Sequence, residues 1–88
     1  MAYKLLENIH FENTDDGSII VDFNNGKFYE LNKCSCIILE GISNNKKLSE
    51  ISNDICQTFN ISDEKAQSDT QKYIDMLIAQ NIIEDINF

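Results

Sequence analysis

Arginine is absent from the chain, and its 7 basic residues are all lysine, in no run longer than Lys46-Lys47. Against them stand 15 Asp and Glu, for a formal charge of −8. Nucleic-acid binders use a basic face to displace counterions from phosphates, and arginine is the preferred reader of guanine. Repulsion from the phosphate backbone therefore opposes a nucleic-acid ligand, and the same charge favours a partner that carries Lys or Arg. No apolar run approaches the roughly 18 residues that span a bilayer, and no signal-peptide pattern opens the chain. Proline is also missing, which agrees with uninterrupted helices. The cysteines, Cys34, Cys36 and Cys56, are an odd set of 3 on segments that read as helix. A disulfide framework is not expected, and a reducing cytoplasm is the expected compartment.

Catalytic constellations are equally scarce. The single histidine, His10, falls on a strand-like segment with no nucleophile elbow or carboxylate at a recognisable spacing, and a hydrolytic site needs both nucleophile and oriented base. A partly exposed strand residue is the expected role. The pair Cys34-x-Cys36 points in directions roughly 200° apart on a helix, which does not suit one tetrahedral ion with Cys56. Buried small hydrophobes account better for these residues, although Cys34, in a first helical turn, is where a reactive thiol would sit. The glycines, Gly17, Gly26 and Gly41, are too far apart for a phosphate loop, and no acidic calcium loop occurs. No catalytic residue, metal or cofactor is expected.

What is present is a strand-like first third and a helical remainder, in a length of 88 residues that suits one domain. Leu5 to Glu12 reads as a first strand through Leu5, Ile9 and Phe11. Ser18 to Phe23 reads as a second, with Ile19, Val21 and Phe23 on one face. Asp15-Asp16-Gly17 marks the turn between them. Asn25-Gly26 is a strong hairpin signal, because both residues tolerate positive φ, and Lys27 to Leu31 returns as a third strand.

Asn32 caps a helix from Lys33, with Cys34, Ile37, Ile38, Gly41 and Ile42 at helical spacing, ended by Ser43-Asn44-Asn45. Leu48, Ile51, Ile55 and Phe59 form a second stripe, capped by Ser49 or the residues just before it. Ser62 caps the third helix, with Asp63 and Glu64 at its positive end and a stripe of Ala66, Thr70, Tyr73, Ile74 and Leu77. Asn81 suits a left-handed position after it, with Ile82 and Ile83 folding back onto the core. Strands then helices give an α+β fold, a three-stranded antiparallel N-terminal sheet followed by three helices, winged-helix-like in architecture. Strands occupy about 4–31 and helices about 33–81.

In such a meander the second strand is central, and one flank of the third is unpaired. An open edge is a hazard unless covered or used, and Lys27-Phe28-Tyr29-Glu30-Leu31 has no proline to blunt it. The aromatics could equally serve packing alone, with the lysine guarding the edge.

Gly26-Lys27-Phe28-Tyr29-Glu30-Leu31-Asn32 resembles the Gly-x-aromatic-Tyr-x-Leu-Asn segment of the PqqD-like family, recognition domains of pathways that modify ribosomally made peptides. Ile37-Ile38-Leu39-Glu40 is similar to the family's aliphatic first helix, Leu48-Ser49-Glu50-Ile51 to the opening of its second, and Phe59-Asn60-Ile61 to its end. Asp69 falls where the family has an acidic residue, and Leu77 to Ile83 matches its closing pattern, so the resemblance covers nearly the whole length, as one domain over 1–88. Lys33 and Leu39 stand where the family often has proline and tryptophan. These departures point away from a standard pyrroloquinoline-quinone chaperone, towards a stand-alone recognition element for a lasso peptide, sactipeptide or similar product.

The resemblance implies that a precursor's leader peptide docks as an extra antiparallel strand along Lys27, Phe28, Tyr29, Glu30 and Leu31. Asp69, Lys72, Tyr73 and Met76 of the third helix would face it. Tyr73 and Met76 would line an apolar pocket, Asp69 and Glu30 would meet a basic leader group, and Lys72 an acidic one. Main-chain bonds would give affinity and pockets specificity. The domain would hand the leader to a separate peptidase or modifying enzyme, such as a radical SAM enzyme, as a monomer or weak homodimer without chemistry of its own. The alternatives are a winged-helix DNA-binding or regulatory module, and a subunit whose third strand pairs with its own copy.

Overall fold

The computed structural model describes residues 3–14 and 17–86. The elements run β1 (Tyr3–Leu5), β2 (Ile9–Thr14), β3 (Gly17–Asp22), β4 (Lys27–Leu31), α1 (Lys33–Ser43), α2 (Leu48–Phe59), α3 (Asp63–Ala79) and β5 (Ile83–Asp85). The fold is α+β: an antiparallel sheet of order β2-β3-β4 followed by three helices. The turn expected at Asp15-Asp16-Gly17 has Asp15 and Asp16 outside the described residues.

The single first strand expected over 5–12 is two. Leu6 to Asn8 turn the chain, with Ile9 N–H donating to Leu6 O at 2.9 Å, and Tyr3–Leu5 leaves the main sheet to pair with Ile83–Asp85. Ile82 and Ile83 do return to the core, 4% and 2% exposed, and Ile83 does so as part of a strand. Alternation along β3 also resolves in one direction. Ser18, Ile20 and Asp22 are buried, so Ile19 and Val21 share a face that turns away from the helices. Phe23 lies past the strand and is 69% exposed.

The β3–β4 hairpin closes on the pair Asp22↔Lys27. Only Gly26 takes positive φ, +64°, while Asn25 does not, so this is a four-residue loop and not a two-residue Asn-Gly turn. Asp22 stands in for the missing mirror-turn geometry by accepting from Asn24 N (3.0 Å) and Asn25 N (3.3 Å).

The caps follow local chemistry. Asn32 accepts from Ser35 N at 2.8 Å and opens α1; Ser62 accepts from Lys65 N at 3.2 Å and opens α3. At α2 the N-cap is Lys47, one of the residues ahead of Ser49, and the Glu50 carboxylate reaches back to accept its N–H at 2.9 Å. Asn81, at φ +61°, ends α3 in a Schellman motif: Ile82 N–H donates to Leu77 O and Asn81 N–H to Ile78 O. That turn aims the chain into β5.

One apolar core joins the layers. Ile20 from β3, Ile38, Leu39 and Ile42 from α1, Ile51 and Ile55 from α2, and Ala66, Ile74 and Leu77 from α3 are buried together. Phe59, expected in the α2 stripe, is 40% exposed at the helix end. Gly41 lets α1 and α2 approach, since a Cβ there would lie 2.6 Å from Ile51 Cγ1.

Candidate functional site

β4 pairs with β3 along one side, and among the described residues no strand pairs with its other side. Alternate residues of such an edge direct their N–H and C=O groups outward. The strand is open to solvent from Lys27 to Glu30, with only Leu31 half-buried.

Beside this edge lies α3, and the two border a cleft of about 270 Å³. Tyr29, Glu30 and Leu31 line it from β4, and Tyr73, Met76 and Gln80 from α3. The buried side chains of Ile20, Leu77 and Ile82 form its floor. Tyr29 and Met76 remain 41% and 40% exposed, so both offer apolar surface that a ligand would cover.

Asn32 and Ser35 line the same cleft and tie it to the start of α1. Asn32 Oδ1 accepts from both the backbone N–H and the hydroxyl of Ser35, each at 2.8 Å. The Ser35 hydroxyl is hydrogen-bonded to the Tyr73 hydroxyl. A helix cap thus holds the phenol of α3 in place, and buried Ser35 is satisfied by it.

Of the nominated side chains, the structure brings Tyr29, Glu30, Leu31, Tyr73 and Met76 to this cleft. Lys27 and Phe28 line a different one, on the hairpin side, with Ile19, Val21 and Phe23. Asp69 and Lys72 line neither cleft. Asp69 is paired with Lys65 at 3.4 Å, one turn back on α3, and its charge reaches Cys34; Lys72 is exposed. Sequence reasoning missed Ile20, Asn32, Ser35, Leu77, Gln80 and Ile82 as cleft residues. Asn32 carried a signal, since a cap at the end of an edge strand must lie at the mouth of any groove there.

A larger cleft of about 630 Å³ lies between α2 and α3, lined by Leu48, Ser49, Ser52, Glu64, Gln67, Ser68 and Gln71. It has no strand edge and no nominated residue.

The cysteines are free thiols. Burial, and then the Asp69 charge, push the Cys34 thiol up. A hydrogen bond with Asp63, then burial, do the same to Cys56, which also donates to Ile61 O at 3.0 Å. Both thiols are therefore held protonated, the opposite of an activated nucleophile. His10 is exposed on β2, 3.7 Å from Glu12. Among the described residues no group of three or more His, Cys, Asp and Glu could hold a metal ion, and no helix is long and apolar enough to cross a membrane.

A small α+β domain with an open strand edge beside a helix is a known class of peptide-binding scaffold. Residues 17–83 match the family model described as coenzyme PQQ synthesis protein D, PqqD. The chain belongs to that family. No curated protein matches it in sequence. Among solved structures, lasso peptide synthetase B1 complexed with the leader peptide matches with a TM-score of 0.86 at 15% identity, over 97% of this chain and 100% of that one. TbiB1 in complex with the TbiA(beta) leader peptide gives 0.84 at 16% identity, over 97% and 99%. The PqqD truncation of Methylobacterium extorquens PqqCD, described as a stand-alone recognition element for ribosomally synthesised and post-translationally modified peptides, gives 0.72 at 12% identity, over 94% and 88%. At these identities the likeness is one of fold.

Proposed function

We propose that this protein, acting as one domain, binds the leader segment of a ribosomally synthesised precursor peptide and presents it to a separate processing enzyme. The observation that carries this is the open edge of β4 beside the Tyr73–Met76 side of α3, in a PqqD family member. Two structures of matching fold are described as complexes with leader peptides.

In this reading the leader adds as an antiparallel strand to β4. Backbone groups of Lys27 to Leu31 supply sequence-tolerant hydrogen bonds, and alternate leader side chains enter the cleft against Tyr29, Leu31, Tyr73 and Met76. Tyr73 is the fixed wall, because Ser35 holds its hydroxyl; Met76 is the adaptable one. Asp69 and Lys72, off the cleft, meet charged groups of a leader long enough to run past it along α3. The protein performs no chemistry. It works in the cytoplasm, as a monomer or weak dimer, by raising the leader's effective concentration at a peptidase or a modifying enzyme such as a radical SAM enzyme. A lasso peptide or sactipeptide is the product class in view.

The test is a titration of the purified protein with the leader peptide of its cognate precursor. A Kd near micromolar is expected, about −8 kcal/mol, since ordering a flexible leader offsets part of the contact energy. Tyr73→Asp or Met76→Lys should each weaken it by about tenfold or more, some 1.4 kcal/mol. Absence of binding by the folded wild-type protein would overturn the proposal.

A further inference from the structure

The loop between β3 and β4 holds the one Asn-Gly pair in the chain, Asn25-Gly26. The side-chain amide of an asparagine is open to attack by the backbone nitrogen of the residue that follows it. Glycine, with no Cβ, obstructs that attack least, and every other asparagine here is followed by a residue with a side chain. Asn25 and Gly26 are both exposed. Gly26 sits at φ +64°, and the space where a Cβ would project from it is empty to 4 Å.

The same side chain closes the hairpin. Asn25 Nδ2 donates to Asp22 Oδ2 at 2.7 Å, and Asn25 N–H donates to Asp22 Oδ1 at 3.3 Å. Asp22 in turn faces Lys27 in the last rung before the loop. This clamp draws the Asn25 amide towards Asp22. The carboxylate charge also opposes ionisation of the neighbouring Gly26 N–H, which must lose its proton before it attacks. An intact clamp therefore slows the reaction, and the product of the reaction destroys the clamp.

We propose that Asn25 is a self-modification site, at which deamidation releases the hairpin and so disables the β4 edge. The Gly26 nitrogen gives up its proton and bonds to Asn25 Cγ; the Cγ–Nδ2 bond breaks, and ammonia leaves with that proton as a succinimide closes. Water then opens the ring. Attack at Cγ yields Asp, and attack at the Asn25 backbone carbonyl yields isoaspartate, with the main chain rerouted through Cβ and Cγ. Ammonia released and water consumed balance the step, with no oxidant or reductant. Either product sets a carboxylate against Asp22 where an N–H donor stood. Isoaspartate also adds a methylene to the main chain of a loop closed by Asp22 and Lys27. As that rung yields, the outward-facing backbone group of β4 nearest the loop moves with it, and a docked leader loses a bond there, a consequence that rests on the leader-binding reading.

The experiment incubates the purified protein in mildly alkaline buffer and follows each asparagine by peptide mapping with mass spectrometry. Denaturant midpoint and affinity for the cognate leader peptide are read on the same samples. Asn25 should be the first asparagine to convert, more slowly in the folded protein than in the same protein held in denaturant, and faster in Asp22→Asn than in wild type. With conversion the midpoint should fall, and leader affinity should fall roughly fivefold, the worth of about one hydrogen bond. Asn25→Asp, which has the charge without the methylene, should have a midpoint between those of fresh and aged protein. Faster conversion at another asparagine, or a folded rate equal to that in denaturant, overturns the proposal. So does aged protein that keeps the midpoint or the leader affinity of fresh wild type. If fresh wild type binds no leader, the reading beneath is lost, while the rates and midpoints still decide whether Asn25 is the site.

Discussion

Asp22 holds the hairpin that carries β4. Its Oδ1 accepts from Asn24 N, Asn25 N and, at 2.9 Å, the Asn8 side chain; its Oδ2 accepts from the Asn25 side chain at 2.7 Å. Every partner is an N–H donor, so each favours the carboxylate over the acid. The Asn25 side chain most strongly, then Asn8, hold this carboxyl below its ordinary value, against a smaller opposing effect of burial. Between the lowered native value and the unfolded one, the native state binds fewer protons. The stabilisation is complete above the usual carboxylate range and is lost as pH falls through the native value. Wild type should therefore be more stable than Asp22→Asn at neutral pH, and the gap should narrow as denaturant midpoints are followed into the acid range. A gap that stays constant would show that the carboxylate charge contributes nothing.

At the scale of elements, α1 and α3 meet the groove through one cap. Asn32→Ala should cost about 1 kcal/mol, the usual worth of an N-cap side chain, seen as a shift in denaturant midpoint. Because Ser35 then loses its acceptor and Tyr73 its fixed partner, leader affinity should fall as well, although Asn32 need not touch the leader. A cap that mattered only to folding would lower stability and leave the Kd unchanged.

Caps of this sort were legible in the sequence because each acts on backbone within a few residues, as Asn32, Ser62 and Asn81 do. The hairpin and β4 were legible for the same reason. The β1–β5 pair was not: three-residue strands have no readable period, and their partners lie at opposite ends of the chain. The buried side of β3 was hidden because Ile19, Ile20 and Val21 are all apolar, so alternation alone could not say which side met the helices. At the site, Tyr29, Leu31, Tyr73 and Met76 could be placed by strand and helix spacing. Asp69 shares a helix border with Tyr73 but lies one turn nearer the start of α3, and Ser35 enters only because α1 folds back across the sheet.

At the scale of the whole molecule, ligand binding and stability are one equilibrium. Leader at about 100 times its Kd should stabilise the fold by about 2.7 kcal/mol. For a domain of this size that raises Tm by on the order of 10 °C, readable by calorimetry, and an unrelated acidic peptide of the same length should leave Tm where it was. The charge of −8 adds a salt dependence if the leader is basic, with the shift shrinking as ionic strength rises.

The pairing of β1 with β5 has a mechanical consequence. Tyr3 faces Asp85, Lys4 faces Glu84 and Leu5 faces Ile83, so tension applied through residues 3 and 85 loads this ribbon from its open end. It yields by unzipping, one rung at a time, and not by shearing all rungs together. The Lys4–Glu84 ion pair, 3.3 Å apart and about half exposed, adds little resistance. After the third rung comes the bond from Leu6 N to Ile82 O, and Ile82 is part of the groove floor. A pull on the two ends of the fold therefore reaches the floor of the cleft between β4 and α3 before it reaches the packed helices.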